Sequence, residues 1–221
     1  KLEDRHVIPH DIVDVAFGIE CRCLPVDHAW PLAEAVSAVL PWMAQEPAAG
    51  IHPLHVADSG NGWMRPEAPG DLRYPSRRTK LLLRLPQARV HDAERLSGAV
   101  LDVGGFSLTV SEASVRPLSA LTTIFSRYVA LEGADEERGF LAEAHKRLAA
   151  VGVHPKKMLC GMERQIGTPE GRIRTRSLML ADLSVAESVR LQQEGLGPRR
   201  TLGCGLFVPH KGIQEVGAPN E

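Results

Sequence analysis

Four glycines bracket two adjacent arginines near the end of the chain. Residues 195–205 read Gly195-Leu196-Gly197-Pro198-Arg199-Arg200-Thr201-Leu202-Gly203-Cys204-Gly205. Glycine admits positive φ and lets backbone N–H groups approach an anion with no Cβ in the way. Neighbouring guanidinium groups add forked contacts to phosphate oxygens. The stretch lacks a Gly-Lys-Ser/Thr ending and precedes a strand, so it is neither a Walker loop nor a G-x-G-x-x-G turn. It reads either as a glycine-rich connection from helix to strand or as a seat for phosphate or RNA. Nine histidines are the other reactive groups; imidazole titrates near neutrality and suits proton transfer. In His52-Pro53-Leu54-His55 two of them lie close together, but no further ligands follow at metal-site spacing and H-E-x-x-H is absent. No metal and no other cofactor is expected. None of the histidines opens an H-x-[ST] motif, which argues against a 2H phosphoesterase.

Charge is unevenly spread. The 221 residues carry a net charge of −1, which rules out a uniformly basic nucleic-acid binder. Residues 1–60 nevertheless hold a net −6, residues 61–140 a net +1 and residues 141–211 a net +6. A basic C-terminal half suggests a localised anionic partner, with a solvated face as the plain alternative. A chain that is 43% hydrophobic and 24% charged is globular rather than disordered. No apolar run approaches a membrane span and no secretory start is visible, so no membrane partner and a cytoplasmic location are expected. The four cysteines form no C-x-x-C pair and read as reduced core thiols.

The elements that must position these groups follow from periodicity. Residues 12–23 alternate with period two and predict a strand. Asp27 is a candidate helix cap, and the spacing of Leu32, Val36, Val39, Leu40 and Met43 predicts a helix running to Met43. Residues 51–57 read as a short strand, 59–62 as a turn, 64–76 as a proline-rich loop and 79–85 as a strand. A short helix is predicted over 88–96, then strands over 100–103, 106–110 and 114–118. The second half repeats this order. A strand is expected at 121–131, a helix at 135–151, and a hairpin from 157–165 and 171–180 around Thr168-Pro169-Glu170-Gly171. Ser184 to Glu187 forms a capping box opening a helix to Glu194, and a last strand spans 204–208. Two βαββαβ units in tandem imply an α+β protein of two ferredoxin-like (RRM-like) domains, residues 1–119 and 120–221, the first with one extra hairpin.

The pattern Gly-h-Gly, five residues, Gly-h-Gly resembles the C-terminal glycine-rich loop of the RAMP superfamily of CRISPR-associated RNA-binding proteins. Ser177-Leu178-Met179-Leu180-Ala181-Asp182-Leu183 and Leu206-Phe207-Val208-Pro209-His210-Lys211-Gly212-Ile213 narrow the likeness to the repeat-processing endoribonucleases, in their myxobacteria-type subfamily. Cys21-Arg22-Cys23-Leu24-Pro25-Val26-Asp27-His28-Ala29-Trp30 and Gly60-Asn61-Gly62-Trp63-Met64-Arg65-Pro66 fit the same group. The resemblance covers residues 12–213, and its members have tandem ferredoxin-like folds, in agreement with the element order.

The resemblance implies cutting of precursor CRISPR RNA within each repeat, at the 3′ base of a hairpin, without metal. The ribose 2′-OH attacks in line and leaves a 2′,3′-cyclic phosphate and a 5′-OH; the alternative is a non-catalytic subunit that holds the guide-RNA hairpin in an effector complex. Repeat RNA, the mature guide hairpin and other effector subunits are the implied partners. In this family the catalytic histidine lies in or just after the first helix, which makes His52 the leading candidate and His28 and His55 close seconds. Each is equally readable as a structural cap or a strand-surface residue. The only tyrosines are Tyr74 and Tyr128, so a tyrosine beside that helix, common among relatives, is not expected. Three basic groups are candidate RNA contacts: Arg77, Arg78 and Lys80 at a strand start; Arg172, Arg174 and Arg176 alternating along one strand face; and Arg199, Arg200, His210 and Lys211 with Gly195, Gly197, Gly203 and Gly205 of the loop. A solvent face of a hairpin is the plain reading of the second group.

Overall fold

The fold is described from a computed structural model, which defines residues 8–56, 70–133 and 136–210. Alternating apolar residues make β1 (Ile12–Cys21), whose Val13, Val15, Phe17 and Ile19 enter the first core. A two-residue strand β2 (Leu24–Pro25) leads into α1 (Ala29–Val39), which buries Leu32 and Val36 in the same core. Pro41 ends the regular helix and a short 3₁₀ turn carries Met43 into the core. Then come β3 (Gly50–Ile51), β4 (Leu72–Arg73) and β5 (Lys80–Pro86). The predicted helix over 88–96 is a single α turn, α2 (Val90–Ala93), between two 3₁₀ turns. β6 (Val100–Val103) and β7 (Phe106–Arg116) close the half.

These strands form an antiparallel sheet in the order β3-β5-β1-β7-β6, while β2 and β4 pair as a separate ribbon. Without β6, the order is that of a ferredoxin-like sheet; β6 is the extra hairpin strand. The second half contributes β8 (Ile124–Val129), α3 (Glu137–Ala150), β9 (Lys157–Thr168), β10 (Gly171–Ala181), α4 (Val185–Glu194) and β11 (Val208–Pro209). Its sheet runs β11-β8-β10-β9, the ferredoxin-like order. The capping box at Ser184 and Glu187 opens α4 in both directions, Glu187 N–H donating to Ser184 Oγ and Ser184 N–H to Glu187 Oε2.

Four local expectations change. Residues 106–118 are one strand to Arg116, not two. Phe17 pairs with Ala113 and Ile19 with Val110, so Gly18 faces two residues and a β-bulge resets the alternation there. The strand expected at 51–57 ends at Ile51, before Pro53. The last strand begins at Val208 instead of Cys204, which makes only an isolated bridge to Tyr128. Asp27 does not cap α1; His28 takes the N-cap position, and the Asp27 carboxylate accepts the Gly167 N–H at 2.8 Å. All four cysteines are free thiols, but Cys204 alone is buried; Cys21, Cys23 and Cys160 are half-buried.

The halves share their packing. Ala130, Ile166, Leu202 and Cys204 are buried in the first core, which places the β9–β10 hairpin and the glycine loop against the first sheet. A second core gathers Phe140, Ala144 and Leu148 of α3 with Leu178 and Leu180 of β10 and Leu191 of α4. Among the described residues no helix is long and apolar enough to cross a membrane.

Candidate functional site

The three candidate histidines occupy very different environments. His28 turns its ring back onto the β2 strand. Its Nδ1 lies 3.0 Å from Pro25 O and 3.1 Å from Val26 O, and its Nε2 lies 3.0 Å from the Leu54 backbone nitrogen. Two carbonyls require a donor and an N–H requires an acceptor, so these partners fix the proton on Nδ1. Only 4% of His28 is exposed. Burial pushes its pKa down to about 4; the two carbonyls oppose the shift, and the nearby Arg73 and Arg127 guanidinium groups add to it. The imidazole is therefore neutral at physiological pH.

His52 follows β3 and is buried beside Asp14. Its Nε2 sits 3.5 Å from Asp14 Oδ1, too far for a well-formed hydrogen bond, and has no other partner among the described residues. Burial pushes the His52 pKa down, against the opposing pull of Asp14. Asp14 is committed elsewhere: Arg84 Nε and Nη2 each donate to its carboxylate at 2.8 Å. Burial would raise the Asp14 pKa, but Arg84 and His52 hold it well below the usual carboxylate range. Arg84 is wholly buried and also donates to Gln192 O at 3.0 Å and Phe207 O at 2.6 Å, in the second half of the chain. His55 is the exposed member of the three. Its Nδ1 lies 3.0 Å from Arg127 Nη2, which donates to it across from β8.

A cleft of about 330 Å³ opens between the start of α1 and the β9–β10 hairpin. Asp27, His28, Pro53, Tyr128, Arg164 and Arg172 line it. Among the described residues no side chain caps α1, and the anion nearest its start, Asp27, is engaged with the Gly167 N–H. Of the residues selected from sequence, His28 and Arg172 meet at this cleft; His52 and His55 do not line it. Tyr128 returns a tyrosine to the neighbourhood of the first helix, from a distant strand. Arg127, Tyr128 and Arg164 reach α1 only through the packing of one half on the other, and Arg73 reaches it on the β2–β4 ribbon, so all four escaped sequence reasoning. A basic residue inside the apolar run of β8 was the available signal for Arg127.

The basic groups divide. Arg172 and Arg174 are exposed and Arg176 is half-buried, on the face opposite Ile173 and Thr175. Gln165 and Glu163 lie near two of them, and Arg176 donates to Gly161 O at 3.2 Å. Arg77, Arg78 and Lys80 stand apart. Arg77 and Lys80 border a shallow depression with Glu20 and Glu112 on the first sheet.

The glycine loop is packed rather than open. Gly195, Gly203 and Gly205 are buried, while Gly197 is half-buried. The amides of Gly195, Gly203 and Gly205 donate to Leu191 O, Arg200 O and Tyr128 O, so they are already committed inside the protein. Gly205 has φ +69° and no room for a Cβ beside Leu196 O; at Gly203 a Cβ would stand 2.6 Å from Pro53. Arg200 turns inward, donating to Glu194 O, to Gln193 O at 3.1 Å and to Ala48 O at 2.9 Å. Burial lowers its pKa to about 10, with repulsion from Arg84 adding and Asp14 opposing. Arg199, in the left-handed region at φ 68°, is the exposed arginine of the pair. His210 is exposed and packs on Phe125; Lys211 lies outside the described residues. Among the described residues no three of His, Cys, Asp and Glu gather as a metal site would.

Comparison with known proteins adds a family. The family model described as "Cas6 Crispr" matches residues 13–212. The "CRISPR-associated endonuclease Cas6" of Myxococcus xanthus strain DK1622 is 30% identical over 197 residues, 89% of this chain and 81% of that protein. Two solved structures share the fold. One, described as "An RAMP protein binding different RNA substrates", has a TM-score of 0.60 at 14% identity, covering 90% of this chain and 100% of that one. The other, a Cas6-related protein from Pyrococcus furiosus, has a TM-score of 0.59 at 13% identity, covering 89% and 97%.

Proposed function

The chain belongs to the Cas6 family of CRISPR-associated proteins, and from that premise we propose that it is an endoribonuclease that cuts precursor CRISPR RNA within its repeats and stays on the 3′ hairpin of the product. The observation that carries the reading is the grouping of phenol and guanidinium groups at the mouth between α1 and the β9–β10 hairpin, with the exposed His55 two residues beyond Pro53 of its lining and held by Arg127. There His28, Tyr128, Arg164 and Arg172 line the cleft, and Arg73 and Arg127 lie close enough to act on His28.

The proposed chemistry needs three things. A base removes the proton of the attacking 2′-OH, an acid protonates the leaving 5′-oxygen, and positive charge stabilises the crowded phosphorus centre. The protein must also hold the 2′-oxygen, phosphorus and 5′-oxygen in line. His55 is the imidazole best placed for proton transfer, because it is exposed while the ring nitrogens of His28 are both engaged and His52 is enclosed. Arg127 fixes the His55 ring and supplies charge next to it. His28 then acts as a positioning residue, locking the start of α1 to Leu54. A proton moves through His55 and no metal enters this scheme. An A-form stem is read through shape, phosphates and 2′-OH groups, a task suited to Arg172 and Arg174 on the exposed hairpin face and to Arg199. In this division residues 1–119 bring the imidazoles and residues 120–221 bring most of the RNA-gripping surface.

A synthetic repeat RNA incubated with the protein in EDTA tests the reading. Cutting at one position, with a 2′,3′-cyclic phosphate on the upstream product and none when the nucleotide before the cut is 2′-deoxy, is the expected result. A requirement for divalent metal overturns the mechanism. The engagement of His28 and the enclosure of His52 favour one further reading, a subunit that binds guide RNA without cutting it. Tight binding of the repeat with no cleavage at any pH selects that alternative.

A further inference from the structure

The face of the first sheet opposite Val13, Val15 and Phe17 gathers charge. Cross-strand partners share a face, so Asp14, opposite Arg84, and Arg84, opposite Gly50, stand on one side. His52 follows two residues after Gly50 and reaches Asp14 from that same side, Nε2 to Oδ1 at 3.5 Å. The glycine loop of the second half roofs this patch. A Cβ on Gly50 would stand 3.3 Å from Arg200 O and closer still to Leu206, and Arg200 Nη2 donates to Ala48 O at 2.9 Å. The four polar groups are near enough to act on one another: His52 feels the charges of Asp14, Arg84 and Arg200, and Arg200 feels those of Arg84 and Asp14.

The charges of this group do not balance. Asp14 is taken by Arg84, whose remaining bonds go to Gln192 O and Phe207 O. Arg200 brings a second guanidinium and donates only to carbonyls, those of Glu194, Gln193 and Ala48. Among the described residues no second carboxylate acts on Arg200 or His52, so one positive charge is left over. Two nitrogens are left over as well. Arg200 Nε and His52 Nε2 are both buried without a hydrogen-bond partner among the described residues, and His52 as a whole is 5% exposed. The ionised Asp14 carboxylate can only accept, which puts the His52 proton on Nε2. Enclosed N–H groups without acceptors are costly, and so is an enclosed charge without a counter-charge. Water answers the first cost only; a small anion answers both.

The geometry points to an enclosed site for one halide ion, chloride or bromide, held by Arg200 Nε–H and His52 Nε2–H between the first sheet and the glycine loop. With the ion in place, Asp14, Arg84, Arg200 and the halide sum to zero charge. Because both donors are enclosed, the site takes a bare monovalent ion and excludes sulfate, gluconate and the phosphates of RNA. No covalent bond is made or broken there. The ion ties Arg200 of the second half to His52 of the first, alongside the bonds that Arg84 makes to Gln192 O and Phe207 O. It therefore acts on how firmly the two halves hold together, whatever RNA the protein handles.

Urea unfolding at constant ionic strength tests this, with sodium gluconate replaced stepwise by sodium chloride. A ligand that binds only the folded chain stabilises it by mass action. Each tenfold rise in chloride above the dissociation constant should then multiply the wild-type folding constant about tenfold. His52→Phe keeps a ring but has no N–H, and Arg200→Gln removes the surplus charge; both should lose most of that dependence. Wild-type unfolding that is indifferent to the exchange overturns the site, since the two N–H groups then meet water. A dependence of full size in both variants also overturns it, because the ion then binds elsewhere. If neither variant folds by its melting curve, crystals of the wild type grown in sodium bromide decide. An anomalous peak within hydrogen-bonding distance of His52 Nε2 and Arg200 Nε is the expected result, and its absence contradicts the proposal.

Discussion

His28 spends both ring nitrogens on the backbone, and that has a pH signature. Its pKa is about 4 in the fold against an ordinary value of 6.5, so the unfolded chain binds a proton that the folded one refuses. This contribution is fully present above pH 6.5 and is lost as the pH falls from there toward 4, a change of roughly 3 kcal/mol at the limit. His52, also lowered, acts with the same sign. Urea unfolding midpoints between pH 4 and 7.5 should fall on the acid side, and His28→Asn should flatten that slope while costing about 2 kcal/mol at neutral pH. His55 gives the complementary result: His55→Ala should lower single-turnover cleavage by roughly a hundredfold or more with RNA affinity little changed. Sequence alone narrowed the imidazoles to three near the first helix and put His52 first, with nothing in it to show which of them is enclosed. Burial separates His52 from His55 across three residues, and it is decided by Pro53 ending β3 and by Arg127 arriving from a strand more than seventy residues away in the chain.

At the scale of elements, the glycine loop acts as a packed plug between β8 and residues 51–53. Gly205 donates to Tyr128 O while its own carbonyl accepts the Leu196 N–H. An added Cβ there meets Leu196 O and is also strained by the positive φ. Gly205→Ala should therefore cost about 2 kcal/mol or more in urea unfolding, with any loss of RNA binding following the loss of structure. The arginines of β10 should behave otherwise. Arg172→Ala should leave stability within about 0.5 kcal/mol, while lowering RNA affinity and reducing the salt dependence of binding by about one phosphate contact. Much of this level was legible: the alternation of β1, the 168–171 turn and the Ser184–Glu187 box all carry local chemistry. The bulge opposite Gly18 was not, because an extra residue in β7 makes one strand look like two. Nor was the inward turn of Arg200, since an arginine beside glycines is equally suited to a phosphate and to the carbonyls that end α4.

For the molecule as a whole, Asp14, Arg84 and Arg200 join its halves from the inside. Arg84 leaves the first sheet to hold Gln192 O and Phe207 O, and Arg200 returns from the second half to Ala48 O. A wholly buried guanidinium is tolerated because the Asp14 carboxylate and two carbonyls satisfy it. Arg84→Met leaves the Asp14 charge enclosed without its partner and should cost roughly 3–5 kcal/mol. This rivet fixes α4 and the residues before β11 against the first sheet. The tandem ferredoxin-like plan could be read from element order, but the rivet could not, because its members are separated by up to about two hundred residues and carry no motif.

The measurement that bears most directly on the central claim is a crystal structure of the protein with a repeat RNA made uncleavable by 2′-deoxy substitution at the cut site. The expected complex has the uncut phosphodiester at the mouth between α1 and the β9–β10 hairpin, with His55 within hydrogen-bonding distance of the 2′-position or the leaving oxygen and the stem along Arg172 and Arg174. RNA seated on another face, with that mouth empty and His55 remote from every phosphate, contradicts the account.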